Sequence, residues 1–377
     1  MKFDLCSSEM KNGCAFNQEE RWMSRALRLA RKGEGFVSPN PTVGACVVKN
    51  GRLLAEGYHQ RFGGPHAEVV ALQKAGNRSK GAALFVTLEP CSTFSKTPPC
   101  VDAICNAGVK RVVFAMEDPN PAHRGRAVRL LKRKGIIVTA GVLKAQAAKQ
   151  IEAYSKWIAT KIPFVTLKMA QSVDGKIASR TGSSRWIAGP EARKWVHTLR
   201  ASCDAILVGR NTVRVDNPRL TVRNGRPVRE PWRVILDPLG RTPLRANVFQ
   251  AGGPILLACR EKSFSHTAKK FRHTAVTVMP VSAKGHQLDL VQLVKRLGAL
   301  GITSLLVEGG GEVAWSFIES RLVDKALWII APKIIGGRET ITSVEGRGIA
   351  SLSEARGIRL TQIRSLGNDV LLEGYLR

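Results

Sequence analysis

From Asn17 to about Lys32 the apolar residues Trp22, Ala26, Leu29 and Ala30 return every three or four positions, the spacing of one helix face. Asn17-Gln18-Glu19-Glu20 ahead of them has the form of a capping box, a cap side chain followed three residues on by a carboxylate. The pattern then changes. Ser38-Pro39-Asn40-Pro41-Thr42-Val43-Gly44 predicts a turn into an apolar strand, Ala45–Val48, and Asn50-Gly51 is a hairpin signal returning the chain through Leu53–Gly57. A helix over Ala67–Ala75, a buried strand over Leu84–Thr87 and a helix start at Pro98-Pro99, with Cys100 in its first turn, come next. Strand Arg111–Ala115, helix Arg126–Arg133 and strand Ile136–Thr139 complete an alternation that predicts a layered α/β domain with a largely parallel sheet. Lys144–Trp157, rich in Ala, Lys and Gln, reads as one helix leading to a second half.

That half opens with strand Phe164–Met169, followed by a helix from Pro190 through Leu199. Apolar runs at Ala205–Gly209, Arg233–Leu236, Ile255–Ala258 and Val276–Met279 predict further strands. Ser304–Val307 runs into Glu308-Gly309-Gly310-Gly311, with a helix from Glu312 to Glu319, and strand–glycines–helix is a geometry that offers backbone N–H groups to a phosphate. A glycine turn is by itself more often only a tight turn. There is no Walker lysine and no Gly-x-Gly-x-x-Gly after the first strand of a domain, so a dinucleotide is not expected to be held in the Rossmann manner.

A chain of 377 residues implies two domains. No stretch approaches the ~18 apolar residues of a membrane helix, and Met1–Asn17 lacks an apolar signal core and reads as a loosely ordered extension. Eight cysteines are too sparse for a disulfide scaffold, which points to a reducing cytoplasm. The formal net charge of +30 suits nucleic acid, an acidic surface or an anionic substrate. Its lysines and arginines are dispersed, never more than three in a row, unlike a tail that grips nucleic acid.

The candidate chemistry is concentrated between Gly64 and Cys100. His66-Ala67-Glu68 is followed by Pro90-Cys91 and, nine residues later, Cys100. Any of these alone would be an ordinary core histidine or buried thiol. Together, one imidazole and two thiolates form a zinc donor set that leaves the fourth tetrahedral position to water. Zinc lowers the pKa of such a water from about 15.7 to about 7. Glu68 is then placed to take its proton and hand it to a departing amine, the pattern of the zinc nucleobase deaminases, which usually space their cysteines more closely.

Taken in order, Pro39-Asn40-Pro41-Thr42-Val43-Gly44, His66-Ala67-Glu68, Glu89-Pro90-Cys91, Thr97-Pro98-Pro99-Cys100 and Glu117-Asp118-Pro119-Asn120-Pro121 resemble the bifunctional riboflavin-biosynthesis enzymes, a pyrimidine deaminase fused to a reductase. The resemblance continues through Lys168–Lys176, Trp186-Ile187, Arg200-Ala201, Asp216–Arg223 and Val307–Gly311. It implies a cytidine-deaminase-like three-layer α/β/α domain over 17–147, a connector over 148–159, and a dihydrofolate-reductase-like α/β domain over 160–377. It also implies zinc held by His66, Cys91 and Cys100, with Glu68 as proton shuttle and Asn40, His59 and Lys96 against the substrate. In the reductase half it places Ser184, Arg200, Leu220, Arg223 and Glu308 at the substrate, and Ala170, Trp186, Thr212, Asp216, Gly310, Gly311 and Glu312 at NADPH. Arg200 and Arg223 suit a phosphate, because guanidinium binds phosphate oxygens in pairs.

The expected substrate is a small phosphorylated pyrimidine, 2,5-diamino-6-ribosylamino-4(3H)-pyrimidinone 5′-phosphate, and no membrane or nucleic-acid partner is expected. A homo-oligomer is compatible with the pattern. Thr93 and Ser95 stand where the family usually has histidine and glycine. Two other readings are a deaminase of bases within nucleic acid, which the charge would suit, and a basic binding module with a structural zinc. The low aromatic content of 6% and the unexplained second half weigh against the first.

Overall fold

The capping box is formed: the Glu20 amide donates to Asn17 Oδ1 at 2.9 Å, and the Asn17 amide donates back to Glu20 Oε2 at 3.1 Å. It starts α1 (Gln18–Ala30) in a computed structural model that describes residues 17–94, 97–223, 229–250 and 252–377. Of the amino-terminal extension all but Asn17 lies outside the described residues, as do Ser95 and Lys96. The chain divides into two compact units, one ending at Ile151 and the other beginning at Glu152.

In the first unit, β1 (Gly44–Lys49) turns at Asn50 and Gly51, both with positive φ (50° and 70°), into β2 (Arg52–Tyr58). There follow α2 (Ala67–Ala75), β3 (Ala83–Val86), α3 (Cys100–Asn106), β4 (Arg111–Phe114), α4 (Arg126–Arg133), β5 (Ile137–Ala140) and α5 (Lys144–Gln150). The sheet order is β2-β1-β3-β4-β5. β1 runs antiparallel to both β2 and β3, and only the β3–β4 and β4–β5 pairings are parallel. The expected largely parallel sheet is therefore half antiparallel, because the hairpin strand β1, with no helical crossover to β2, is the one that β3 joins. Cys46, Val48, Phe85 and Val113 pack against Met23, Ala26 and Leu27 of α1. Their alternates Val47, Leu84, Val86 and Val112 are buried on the opposite face, giving the α/β/α layering.

The predicted single helix Lys144–Trp157 is two. Ile151 leaves helical geometry (φ −113°, ψ 24°) and is buried, separating α5 from α6 (Glu152–Thr160).

The second unit continues with β6 (Phe164–Ser172), α7 (Pro190–Ser202), β7 (Ala205–Gly209), α8 (Arg210–Asp216), β8 (Trp232–Leu236), α9 (Asn247–Gln250), β9 (Ile255–Arg260), α10 (Glu261–Phe271) and β10 (Val276–Val281). The short pair β11 (Ala283–Lys284) and β12 (Gln287–Leu288), then α11 (Leu290–Ala299), β13 (Ser304–Val307), α12 (Gly311–Glu319), β14 (Lys325–Ala331), β15 (Ile358–Leu366) and β16 (Asp369–Leu376) complete it. Nine strands align as β10-β9-β8-β7-β13-β6-β14-β16-β15, parallel from β10 to β14 and antiparallel over the last two. β13 enters between β6 and β7, which the chain laid down earlier. That reversal of strand order makes a crevice at the carboxyl ends of the central strands, where open α/β sheets take their ligands. Among the described residues no helix is long and apolar enough to cross a membrane.

Candidate active sites

His66 is the cap residue of α2, with extended backbone (φ −74°, ψ 162°), and Glu68 sits in the first turn behind it. α2 lies tight on β2 because residue 57 is glycine: a Cβ there would meet Ala67 O and Ala71 N at 2.6 Å. Cys91 follows β3, and Cys100 opens α3 behind Pro99. His66 Nδ1 stands 3.2 Å from Cys100 Sγ and 3.5 Å from Cys91 Sγ, and the Cys100 amide donates to Cys91 Sγ at 3.2 Å. The three donor atoms lie within 4.8 Å of one another, the one such group among the described residues.

The electrostatics of this cluster suit a dication. The Cys100 thiol, and after it His66, hold Cys91 down at about 4, while Cys91 and burial push Cys100 well above the usual thiol range. Two sulfurs so close cannot both ionise unless positive charge stands between them, and zinc supplies that charge to an N,S,S set. Glu68 is 3% exposed, and burial raises its carboxyl pKa against the pull of His66.

Around the cluster, His59 Nδ1 donates to the Pro65 carbonyl at 3.0 Å, because a carbonyl can only accept. His59 Nε2 is left to accept from Asn40 Nδ2 at 3.1 Å. With both nitrogens engaged and its pKa lowered by burial, His59 is a neutral imidazole that orients Asn40. Glu89, just before Cys91, receives the amides of Asp118 (3.3 Å), Gly125 (2.9 Å) and Ala127 (3.1 Å). This brings the loop before α4 to the metal-site loop, where His123 Nδ1 lies 3.3 Å from Thr93 Oγ1. The sequence reading did not identify His123, since the contact spans 30 residues with no local signal.

In the second unit one cavity of about 1290 Å³ gathers Ala170, Ser184, Trp186, Arg200, Thr212, Asp216, Leu220, Arg223, Glu308, Gly310, Gly311 and Glu312. Arg200 grips Glu308 with both arms, Nε to Oε1 at 2.7 Å and Nη2 to Oε2 at 2.8 Å. The guanidinium fork expected for a phosphate thus holds a carboxylate instead. Lys168 Nζ, from the middle of β6, lies 3.9 Å from the same Glu308. Burial would raise the Glu308 pKa, but the charge and hydrogen bonds of Arg200 outweigh it and hold Glu308 at about 2. Lys168 was not singled out from the sequence for a role of its own. A lysine inside an apolar strand was the available signal, and burial lowers its pKa here.

Among the described residues the Arg223 side chain meets only His197, its Nη2 3.5 Å from Nε2. Leu220 has φ of 53° and its side chain belongs to a core cluster, so any approach it makes to a ligand is through backbone. Ser184 Oγ donates to Asp216 Oδ1 at 2.6 Å, and Arg185 donates to the Asp216 carbonyl. Trp186 is 59% exposed, with the Arg193 guanidinium 4.6 Å from its ring. At the amino end of α12, Gly311 lies against Thr342, where a Cβ would come within 2.6 Å of the carbonyl. Glycine at 311 thus serves packing within the chain, and the open side of the turn is at Gly310, where a Cβ would meet only Thr212 Oγ1, at 3.9 Å.

Residues 163–372 match the family model of the RibD C-terminal domain, and residues 16–116 match the cytidine and deoxycytidylate deaminase zinc-binding region. The riboflavin biosynthesis protein RibD of Aquifex aeolicus is 42% identical over 354 residues, covering 94% of this chain and 97% of its own. The chain belongs to the RibD family. RibD of Escherichia coli K12 is 40% identical over 94% of this chain and 98% of its own. In three dimensions, Acinetobacter baumannii RibD superposes with a TM-score of 0.87 at 33% identity, covering 96% of this chain and 99% of its own. A Thermotoga maritima structure described as a diaminohydroxyphosphoribosylaminopyrimidine deaminase/5-amino-6-(5-phosphoribosylamino)uracil reductase gives 0.85 at 35% identity, over 96% and 99%. Membership makes this chain an enzyme of riboflavin biosynthesis, a zinc-dependent deaminase and an NADPH-dependent reductase in one polypeptide.

Proposed function

We propose that the first unit hydrolyses the 2-amino group of 2,5-diamino-6-ribosylamino-4(3H)-pyrimidinone 5′-phosphate, and that the second reduces the ribosyl chain of its product to ribityl. The observation that carries the deaminase assignment is the convergence of His66, Cys91 and Cys100 within 4.8 Å, with Glu68 two residues from the histidine. Zinc, when held by these three, supplies an activated hydroxide at neutral pH. Glu68 holds the proton that hydrolysis liberates, its raised pKa keeping it able to do so, and releases it to the departing ammonia. Asn40, fixed by His59, offers its amide to the ring, and Lys96 is assigned to the substrate beside it on the resemblance alone.

In the reductase, NADPH supplies the hydride, and the chain supplies position and charge. Arg223, at the cavity wall, takes the substrate phosphate. Glu308, ionised and gripped by Arg200, accepts from ribosyl hydroxyls, and the Lys168 ammonium beside it donates to the oxygen that becomes the ribityl hydroxyl. Ser184 and the backbone at Leu220 line the same end. Ala170 and Trp186 border the nicotinamide, and Thr212, Asp216, Gly310, Gly311 and Glu312 the rest of the cofactor. The work is placed in the cytoplasm, on a small phosphorylated pyrimidine.

Incubating the chain with the diaminopyrimidinone phosphate and following products by mass tests both steps. Without NADPH the expected change is replacement of one NH by O, as the amino group leaves as ammonia and water supplies the oxygen, and with NADPH a further gain of two hydrogens. An unchanged mass, or deamination of cytosine in RNA instead, overturns the reading.

A further inference from the structure

Arg210 opens α8 at the carboxyl end of β7 and lines the second-unit cavity. Its Nε is buried without a hydrogen-bond partner, and no carboxylate among the described residues bridges its guanidinium. Three other cavity arginines are engaged, Arg200 by Glu308, Arg193 by the Ala188 carbonyl and the Trp186 ring, and Arg185 by the Asp216 carbonyl, while Arg223 faces His197 and Arg219 is exposed. A buried donor without an acceptor destabilises the protein until a ligand supplies one.

Strand order fixes what Arg210 faces. The carboxyl ends of β6, β13, β7 and β8 stand side by side at intervals of about 4.8 Å. Ala170 lies on β6, the glycine turn follows β13, Arg210 follows β7, and Asp237-Pro238 follow β8. A Cβ on Gly209 would lie 2.8 Å from Val313, and one on Gly310 would lie 3.9 Å from Thr212 Oγ1, so the starts of α12 and α8 are packed together. A dinucleotide with its nicotinamide at Ala170 and Trp186 and its diphosphate at Gly310 therefore carries its adenosine across β7 towards β8. A second cation stands nearby, beside one buried carboxylate: Lys270 donates to the carbonyls of Gly240 and Thr242, and burial lowers its pKa, against the attraction of Asp237 and with the repulsion of Arg210.

We infer that Arg210 holds the 2′-phosphate of NADPH and is the residue by which this chain distinguishes NADPH from NADH. The inference rests on the cofactor placement proposed above. A planar guanidinium meets a phosphate with two parallel N–H···O bonds, which a bare 2′-hydroxyl cannot reproduce.

Isothermal titration of the full chain with adenosine 2′,5′-bisphosphate and with 5′-AMP reads this without turnover. Arg210→Ala is expected to weaken the bisphosphate by about 10- to 100-fold while 5′-AMP changes by less than about twofold. Arg210→Lys is expected to recover part of the loss, because charge remains without the fork. Equal losses for both nucleotides, or none, overturn the assignment. Gly310→Val, which has room to fold but fills the turn, tests the placement: weakening of both nucleotides supports it. If that variant binds both like the wild type, the placement fails and the Arg210 inference with it. If it weakens both while Arg210→Ala leaves their ratio unchanged, the Arg210 inference alone fails.

Discussion

Replacing Glu308 with Gln keeps the shape of the side chain and removes its charge. Arg200 and Glu308 are 13% and 7% exposed, so solvent screens them little, and Arg200 would be left facing an amide whose NH2 repels one of its own N–H groups. For the second cation, at 3.9 Å, the lost attraction is about 4 kcal/mol at an effective dielectric of ~20. Removing one partner of a buried pair costs about 3–5 kcal/mol overall. In a domain of about 200 residues, where 1 kcal/mol moves the midpoint by about 2–4 °C, the melting transition that NADPH stabilises should fall by about 6–20 °C. Differential scanning calorimetry measures this, and Arg200→Met with Glu308→Gln should lose less than the sum of the single variants.

The pH dependence gives an independent check. Glu308 titrates near 2 in the folded chain, against about 4.3 when unfolded. Its stabilisation is therefore complete above about 4.3 and lost as pH falls towards 2, so the gap between wild type and Glu308→Gln should close over that window. A variant melting within about 2 °C of wild type at neutral pH, or strict additivity with Arg200→Met, would refute the reasoning.

Glu68→Gln should keep one zinc per chain by metal analysis while ammonia release falls at least about 100-fold; loss of the metal would show that Glu68 is structural. Glu89→Gln should weaken the bonds to the amides of Gly125 and Ala127, costing about 1–3 kcal/mol and speeding their hydrogen exchange, and unchanged exchange would contradict the anchoring role. Burial, then Arg200 and Arg223, lower the His197 pKa, so the folded protein loses stability as pH falls below the unfolded value of about 6.5. His197→Gln should flatten the stability profile from that pH downward, and an unaltered slope would count against a neutral His197.

The zinc triad was legible in the sequence because the metal restricts residue type, and two of its ligands, Cys91 and Cys100, lie close together along the chain. The capping box and the Asn50-Gly51 turn were legible for the same local reason. The sheet of the first unit was not, since nothing near β1 says that β3 will lie beside it antiparallel. α8 escaped because it has seven residues and one buried position, Val213, too little for a periodic signal. α10, α11 and the β15–β16 hairpin were not singled out either, and β15 shows mostly exposed positions. In the reductase site the residue types were readable but their partners were not: Arg200 looks like a phosphate ligand until Glu308, 108 positions away, is seen in its grasp.

Glu89 recognises main-chain amides of residues 118, 125 and 127, not their side chains. The path of that loop is therefore fixed by a feature every amino acid but proline provides. Residues such as His123 can be exchanged during divergence or design while the metal-bearing strand keeps its footing. New preferences among ring substituents can thus arise at the rim without disturbing the hydrolytic centre beneath.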